Sequence, residues 1–345
     1  MRSPASRMAL IILLALGSAC GTSDPSDTAG GPAINDLGSS SYLGGFQGGL
    51  YPGGLNSMPA FHDSVGQVRA GRIQPRDVNG APSATGKYVL LSVGMSNTTQ
   101  EWCGVQTSPC NHWTFSGRAA TDGAVNHGTM VIANGARGSE TATEWDAPTD
   151  PNYNRVRDQV LSPLGLSEAQ VQAVWLKEAN PNPNVSLPSG NADAFDLETT
   201  LGRIARALKS RYPNLQIIFL SSRIFAGYAS VQLNPEPFAY ESGFAVKWLI
   251  QAQIEQMENG GSVVDTRAGN LNYETVAPWI AWGPYLWADG ENARSDGLTW
   301  SPGDFEADGT HPSTSGETKV ASRLLSFFKT DDHASCWFLA GGNCP

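Results

Sequence analysis

Two short segments hold side chains suited to acyl transfer. Ser96 lies in LLSVGMSNTTQEW, directly after a hydrophobic run. A Gly-x-Ser-Asn step leaving a strand exposes a hydroxyl at the carboxyl edge of a sheet while its neighbours are buried. His311 lies in DFEADGTHPSTSGETKVASRLL, three residues after Asp308 and just before Pro312, where a loop leads into a helical segment. A serine hydroxyl is a poor nucleophile until a base takes its proton. An aspartate that fixes the imidazole tautomer and stabilises the imidazolium completes the set. Both partners on one side of a short loop would place the carboxylate near Nδ1 and leave Nε2 for a serine. The serine alone is weak support, since many strands end in Ser, and Thr98 rules out the Gly-x-Ser-x-Gly elbow. With five histidines in the chain, one held between Asp308 and Pro312 at an element boundary carries more weight.

GMSN and DGTHPS together resemble the first and last sequence blocks of the SGNH (GDSL-like) hydrolase superfamily, above all its carbohydrate esterase branches, whose first block often reads Gly-Gln-Ser-Asn. The resemblance runs from about Lys87 to Thr330 with the blocks in order. It implies a flavodoxin-like three-layer α/β/α sandwich with a mostly parallel sheet, and a catalytic Ser96, Asp308 and His311. NGARGSETATEW is similar to the block whose glycine amide helps form the oxyanion hole, and either Gly138 or Ser139 falls on that glycine. WLKEANPNPN stands where the family shows Gly-x-Asn-Asp; Glu178 replaces the glycine, Pro181 the aspartate, and Asn180 keeps the asparagine position. The resemblance thus implies an oxyanion hole built from the Ser96 N–H, the Gly138/Ser139 backbone and the Asn180 side chain. Arg223, after a predicted strand in LSSRIFAGY, is a candidate for binding an acidic or sugar substrate or for bracing a loop. Glu178 is a candidate to orient Arg223 or a substrate hydroxyl.

These residues require a scaffold, and the apolar clusters supply one. KYVLLSVG, TMVIANGA, VQAVWLK and NLQIIFLSS read as four buried strands, and APWIAWGPYLW as a fifth strand or an aromatic loop. Between the third and fourth, Leu197, Leu201, Ile204, Ala205 and Leu208 mark one face of a helix. Helices are also expected near Glu241–Met257, ended by Gly260 and Gly261, and after His311, with Ser315 as a possible cap. Strands alternating with helices imply a mostly parallel sheet covered on both faces, with ligands at the carboxyl ends of its strands. Trp102, Trp113, Trp145, Trp282 and Trp287 fall at strand ends or in loops, where each is either packing or part of a sugar platform.

The N-terminus, MRSPASRMALIILLALGSAC, has two arginines, an apolar stretch and small residues. The apolar run is shorter than the roughly 20 residues a bilayer requires, so residues 1–19 are expected to be a signal peptide. GSAC is similar to the lipobox of bacterial lipoproteins, making Cys20 a candidate for lipidation. Residues 20–40 then form a tether, residues 41–85 a Gly-rich segment lying on the domain, and residues 86–345 the hydrolase domain. An exported, membrane-anchored lipoprotein, periplasmic or at the cell surface, is expected, with release as the alternative. The other four cysteines, Cys103, Cys110, Cys336 and Cys344, suit disulfides in an exported chain; local pairing is the simplest of three connectivities.

A formal charge of −10 without a basic run gives no footprint for nucleic acid. No His-Glu-x-x-His or zinc spacing is present, so neither a metal nor a cofactor is expected. The expected activity is hydrolysis of a carboxylic ester, most simply a short acyl group on a small-molecule or polysaccharide carbohydrate. A lipase or thioesterase of the same architecture, and a nonenzymatic sugar-binding lipoprotein, are the alternatives.

Overall fold

The computed structural model describes Met1 and residues 31–105 and 108–344. Apart from Met1, the expected signal peptide lies outside these residues, as does Cys20. A five-stranded parallel sheet organises the chain: β1 (Tyr88–Gly94), β2 (Met130–Asn134), β3 (Val171–Lys177), β4 (Ile217–Leu220) and β5 (Trp279–Trp282). Their spatial order is β2-β1-β3-β4-β5. The chain therefore moves to one side of β1 and then returns to its other side, and the connections after β1 and β3 diverge at a topological switch point. Ligands of open parallel sheets bind in such crevices, beyond the carboxyl ends of the strands.

Every residue of β1, β3, β4 and β5 is buried, which requires cover on both faces. The helices used below are α1 (Ala60–Ala70), α2 (Ser96–Trp102), α3 (Phe115–Ala119), α4 (Asp193–Arg211), α5 (Phe238–Glu258) and α6 (Thr314–Thr330). On one face, Trp175 of β3 stacks on Trp102 of α2, with ring centroids 5.3 Å apart, and Phe219 of β4 meets Phe327 and Phe328 of α6. On the other, α4 and α5 pack together and α5 reaches β5. Leu197, Leu201, Ile204, Ala205 and Leu208 are buried in α4, as their spacing predicts.

The outer edge of β5 is sealed by side chains, which removes a template for pairing with another chain. Gln253 of α5 accepts the Ile280 N–H at 2.8 Å, and His62 of α1 bonds the Ile280 carbonyl at 2.9 Å. Burial pushes the His62 imidazole down to about 4, so it is the neutral ring that donates there. Residues 41–47 lie on α5, with Tyr42 stacked on Phe244 and Phe46 against Trp248. Lys247 donates to the carbonyls of Gln47, at 2.5 Å, and Gly48. Cys103 is bonded to Cys110, and Cys336 to Cys344.

Three sequence expectations need adjustment. The last helix is capped two residues earlier than expected, by Ser313; Ser315 instead donates to Asp304 at 2.8 Å. Helix α1 was not expected, because its buried positions are His62, Gly66, Arg69 and Ala70 rather than an apolar stripe. Trp102, Trp145, Trp282 and Trp287 are buried, so they pack the core and offer no open platform. No helix among the described residues is long and apolar enough to cross a membrane.

Candidate active site

Ser96 is the first residue of α2, two residues beyond β1. The turn is tight because Gly94 lies against the neighbouring strand: a Cβ there would come within 2.4 Å of the Lys177 carbonyl and of Thr98 Oγ1. Thr98 donates to that same carbonyl at 2.6 Å, which pins the first turn of α2 to the end of β3. As a first-turn residue, Ser96 has a backbone N–H that the helix itself does not satisfy.

Asp308 and His311 come from the loop between β5 and α6. Asp308 Oδ1 accepts the N–H groups of Thr310 and His311, each at 2.9 Å. The turn leaves Oδ2 facing His311 Nδ1 at 2.5 Å, while His311 Nε2 lies 2.9 Å from Ser96 Oγ. Burial raises the Asp308 pKa, but the hydrogen bonds from the His311 ring and from the His311 and Thr310 amides outweigh it and hold the carboxyl below its ordinary value. An ionised carboxylate only accepts, so Nδ1 carries the imidazole proton and Nε2 is left to accept from the serine. Gly309 permits this turn: its φ is +67°, and a Cβ would fall 1.9 Å from the Tyr228 carbonyl.

Asn97 joins the two halves. It is fully buried, and its Nδ2 donates to the Thr310 carbonyl at 3.0 Å, tying the serine turn to the histidine loop across 213 residues of sequence. In the sequence, the only signal for this role is its place beside the serine in GMSN.

The other candidates lie along the same edge. Arg137 donates its backbone N–H to the Gly94 carbonyl at 3.0 Å, which brings the loop after β2 against the end of β1. Within that loop Ser139, not Gly138, has a left-handed backbone, with φ +69°. That conformation favours glycine, yet a serine stands there. Asn180 follows β3 and is half-buried; its carbonyl accepts from Asn234 Nδ2 at 2.9 Å, and its Oδ1 has no partner among the described residues.

Glu178 and Arg223 are buried and present no charge to open solvent. Burial pushes the Glu178 carboxyl well above the ordinary range. The Arg223 guanidinium rests 4.0 Å from Met95 Sδ and donates to the Leu233 carbonyl at 3.2 Å, so it lies beneath the nucleophile turn. Beside it, Lys177 and Glu101 form a fully buried ion pair that sequence reading missed. Burial raises the Glu101 pKa and lowers Lys177 to about 8, each opposed by the other's charge. No group of three or more potential metal ligands occurs among the described residues.

No protein-family model and no curated protein matches the chain. Solved structures resemble it distantly. An extracellular lipase from Streptomyces rimosus is 13% identical with a TM-score of 0.31, over 70% of this chain and 99% of that one. A protein assigned as a GDSL-like lipase from Parabacteroides merdae is 12% identical with a TM-score of 0.35, over 74% and 97% of the two chains. A carbohydrate esterase family 2 enzyme from Corynascus thermopiles is 13% identical with a TM-score of 0.33, over 71% and 68%. Superpositions this loose assign neither fold family nor activity.

Proposed function

We propose that this protein is a serine esterase of the SGNH type that hydrolyses carboxylic esters, in particular short O-acyl groups such as acetyl on a carbohydrate. The observation that carries this reading is the aligned relay of Asp308 Oδ2, His311 Nδ1, His311 Nε2 and Ser96 Oγ, at 2.5 and 2.9 Å. The strand order β2-β1-β3-β4-β5 supports it, because this is the order of flavodoxin-like sheets and it sets Ser96 and Asn180 on the two sides of the switch point.

In the reaction, Ser96 Oγ bonds to the acyl carbon as His311 Nε2 takes the hydroxyl proton. Negative charge gathers on the carbonyl oxygen, and the Ser96 N–H, the Gly138/Ser139 backbone and Asn180 Nδ2 are the donors assigned to stabilise it. Losing one such donor costs about 2.7–4 kcal/mol in comparable sites. The bond to the alcohol oxygen then breaks, and His311 returns the proton to the leaving alkoxide. Water, deprotonated by the same imidazole, attacks the acyl-serine; the acid departs and Ser96 regains its proton.

The test is nitrophenol release from p-nitrophenyl acetate and butyrate by the parent, Ser96→Ala and His311→Ala. Both variants are expected to lose on the order of 10⁴-fold or more in kcat, with KM little changed. Equal rates in the three folded proteins would reject the mechanism and favour the nonenzymatic sugar-binding reading. A strong preference for longer acyl chains would favour a lipase or thioesterase. Export and attachment through Cys20 belong to the same proposal, and mass analysis of the mature N-terminus tests them.

A further inference from the structure

A cavity of about 450 Å³ opens between α4 and α5, and none of Ser96, Asp308, His311 and Asn180 lines it. Residues 45–47 and the loop of Asp265 and Arg267 complete its walls. Each wall is held in place. Lys247 donates to the carbonyls of Gln47 and Gly48, Arg206 of α4 donates to the Ala268 carbonyl at 2.8 Å, and Asp265 Oδ1 accepts the Arg267 N–H at 2.7 Å. Preformed concavities of this size are where small ligands bind.

The lining combines aromatic rings with hydrogen-bonding groups and little free charge. Phe46, Phe195 and Trp248, all half-buried, form an apolar wall in which Phe195 stacks on Trp248 with centroids 4.9 Å apart. Along α5, Gln251 donates to the exposed Glu255 at 2.6 Å. Glu198 is buried and hydrogen-bonded to Asp265; burial first, and then the Asp265 charge, pushes its carboxyl up to about 8, so it is uncharged at neutral pH. The remaining charges balance, Asp265 and Glu255 against Lys247 and Arg267. Both cations are already engaged, Lys247 by backbone carbonyls and Arg267 over the Phe195 ring, 4.1 Å from its centroid. One donor is unused. Among the described tryptophans, only Trp145 and Trp248 have an indole N–H without a hydrogen-bond partner. Trp145 is buried in the core, whereas Trp248 lines this cavity.

We infer that this cavity binds an uncharged oligosaccharide, at a site separate from the catalytic serine. A sugar ring offers an apolar carbon face to Trp248 and Phe46. Its hydroxyls can donate to Glu255 and Asp265 and accept from the Trp248 N–H and the Gln251 amide. An ionic ligand gains little there, because the lining carries no net charge and its cations are spent. The site goes beyond the esterase reading and does not depend on it.

The experiment titrates the parent by calorimetry with unacetylated cellohexaose, xylohexaose, mannohexaose and chitohexaose, and with hexagalacturonate and the glucosamine hexamer as charged comparators. At least one neutral hexamer is expected to bind, more tightly than either charged one. Its affinity should fall about tenfold in the surface variant Gln251→Ala/Glu255→Ala, and about threefold in Trp248→Phe, which keeps an aromatic wall and removes only the N–H donor. Unchanged melting temperatures establish that these variants are folded, and turnover of p-nitrophenyl acetate should match the parent. No binding of any neutral hexamer, tighter binding of a charged one, or neutral binding indifferent to both variants overturns the inference. Loss of p-nitrophenyl acetate turnover together with sugar binding also overturns it, because the bound sugar then occupies the catalytic cleft. If the parent turns over p-nitrophenyl acetate no faster than Ser96→Ala, the esterase reading fails by itself, and the titrations still decide the cavity.

Discussion

At the residue scale, the candidate site depends on fixing three side chains that come from two distant parts of the chain. Asp308 is locked by two backbone amides before it meets His311, and Asn97 holds the histidine loop to the serine turn through the Thr310 carbonyl. Loss of that tether leaves Ser96 and His311 chemically intact but less well aligned, and misplacement of about 1 Å can cost about 10²-fold in rate. Asn97→Ala is accordingly expected to lower kcat for p-nitrophenyl acetate by roughly 10- to 100-fold. Wild-type turnover in a folded Asn97→Ala would show that the tether has no kinetic role. That Ser96, Asp308 and His311 meet was legible in the sequence, because their residue types and block order resemble a known pattern. The left-handed backbone at Ser139 was not, since residue type favours Gly138 for that conformation.

At the element scale, the strands were the most legible part. KYVLLSVG, VQAVWLK and their companions have no polar face, and the sheet buries them on both sides. Helix α1 was hidden because its inward positions serve hydrogen bonding and close approach, His62 sealing the Ile280 carbonyl. The Lys177–Glu101 pair was hidden for a related reason. Lys177 ends a strand pattern that usually meets solvent there, whereas this chain supplies a buried carboxylate five residues after Ser96. Removing one member of a buried pair leaves an uncompensated charge, at a cost of about 3–5 kcal/mol, while replacing both with apolar groups costs far less. Lys177→Met is expected to lose about that much in urea unfolding, and adding Glu101→Leu should recover most of it. Equal loss in the single and double variants would mean that packing, not charge pairing, sets the stability of this layer.

At the scale of the whole molecule, buried carboxyls give folding a distinct pH dependence. Burial pushes Glu198 up to about 8, and Glu241 and Glu317 up to about 7. The folded state keeps protons that the unfolded chain, titrating at about 4.3, has already lost. Their contribution is therefore complete below the unfolded value and disappears as the pH rises through the folded one. His333, raised by Asp331 and Asp63 against the opposing effect of burial, acts with the same sign. His62, lowered to about 4 by burial, acts oppositely, but only up to its unfolded value of about 6.5. Lys177 and Lys247, lowered to about 8 by burial, oppose the carboxyls only from there upward. From about pH 6.5 to 8 the Tm should fall in calorimetry, and Glu198→Gln should flatten the slope. A level or rising Tm across that window would contradict this assignment.

The central claim, that Ser96 is a nucleophile activated by His311, is tested most directly by trapping the serine. The mature protein is incubated with a p-nitrophenyl alkylphosphonate, and the adduct is located by peptide mass. The account predicts one phosphonyl group on the Ser96 peptide, absent in Ser96→Ala and formed far more slowly in folded His311→Ala. No adduct, or one formed at Ser96 equally fast without His311, would contradict it.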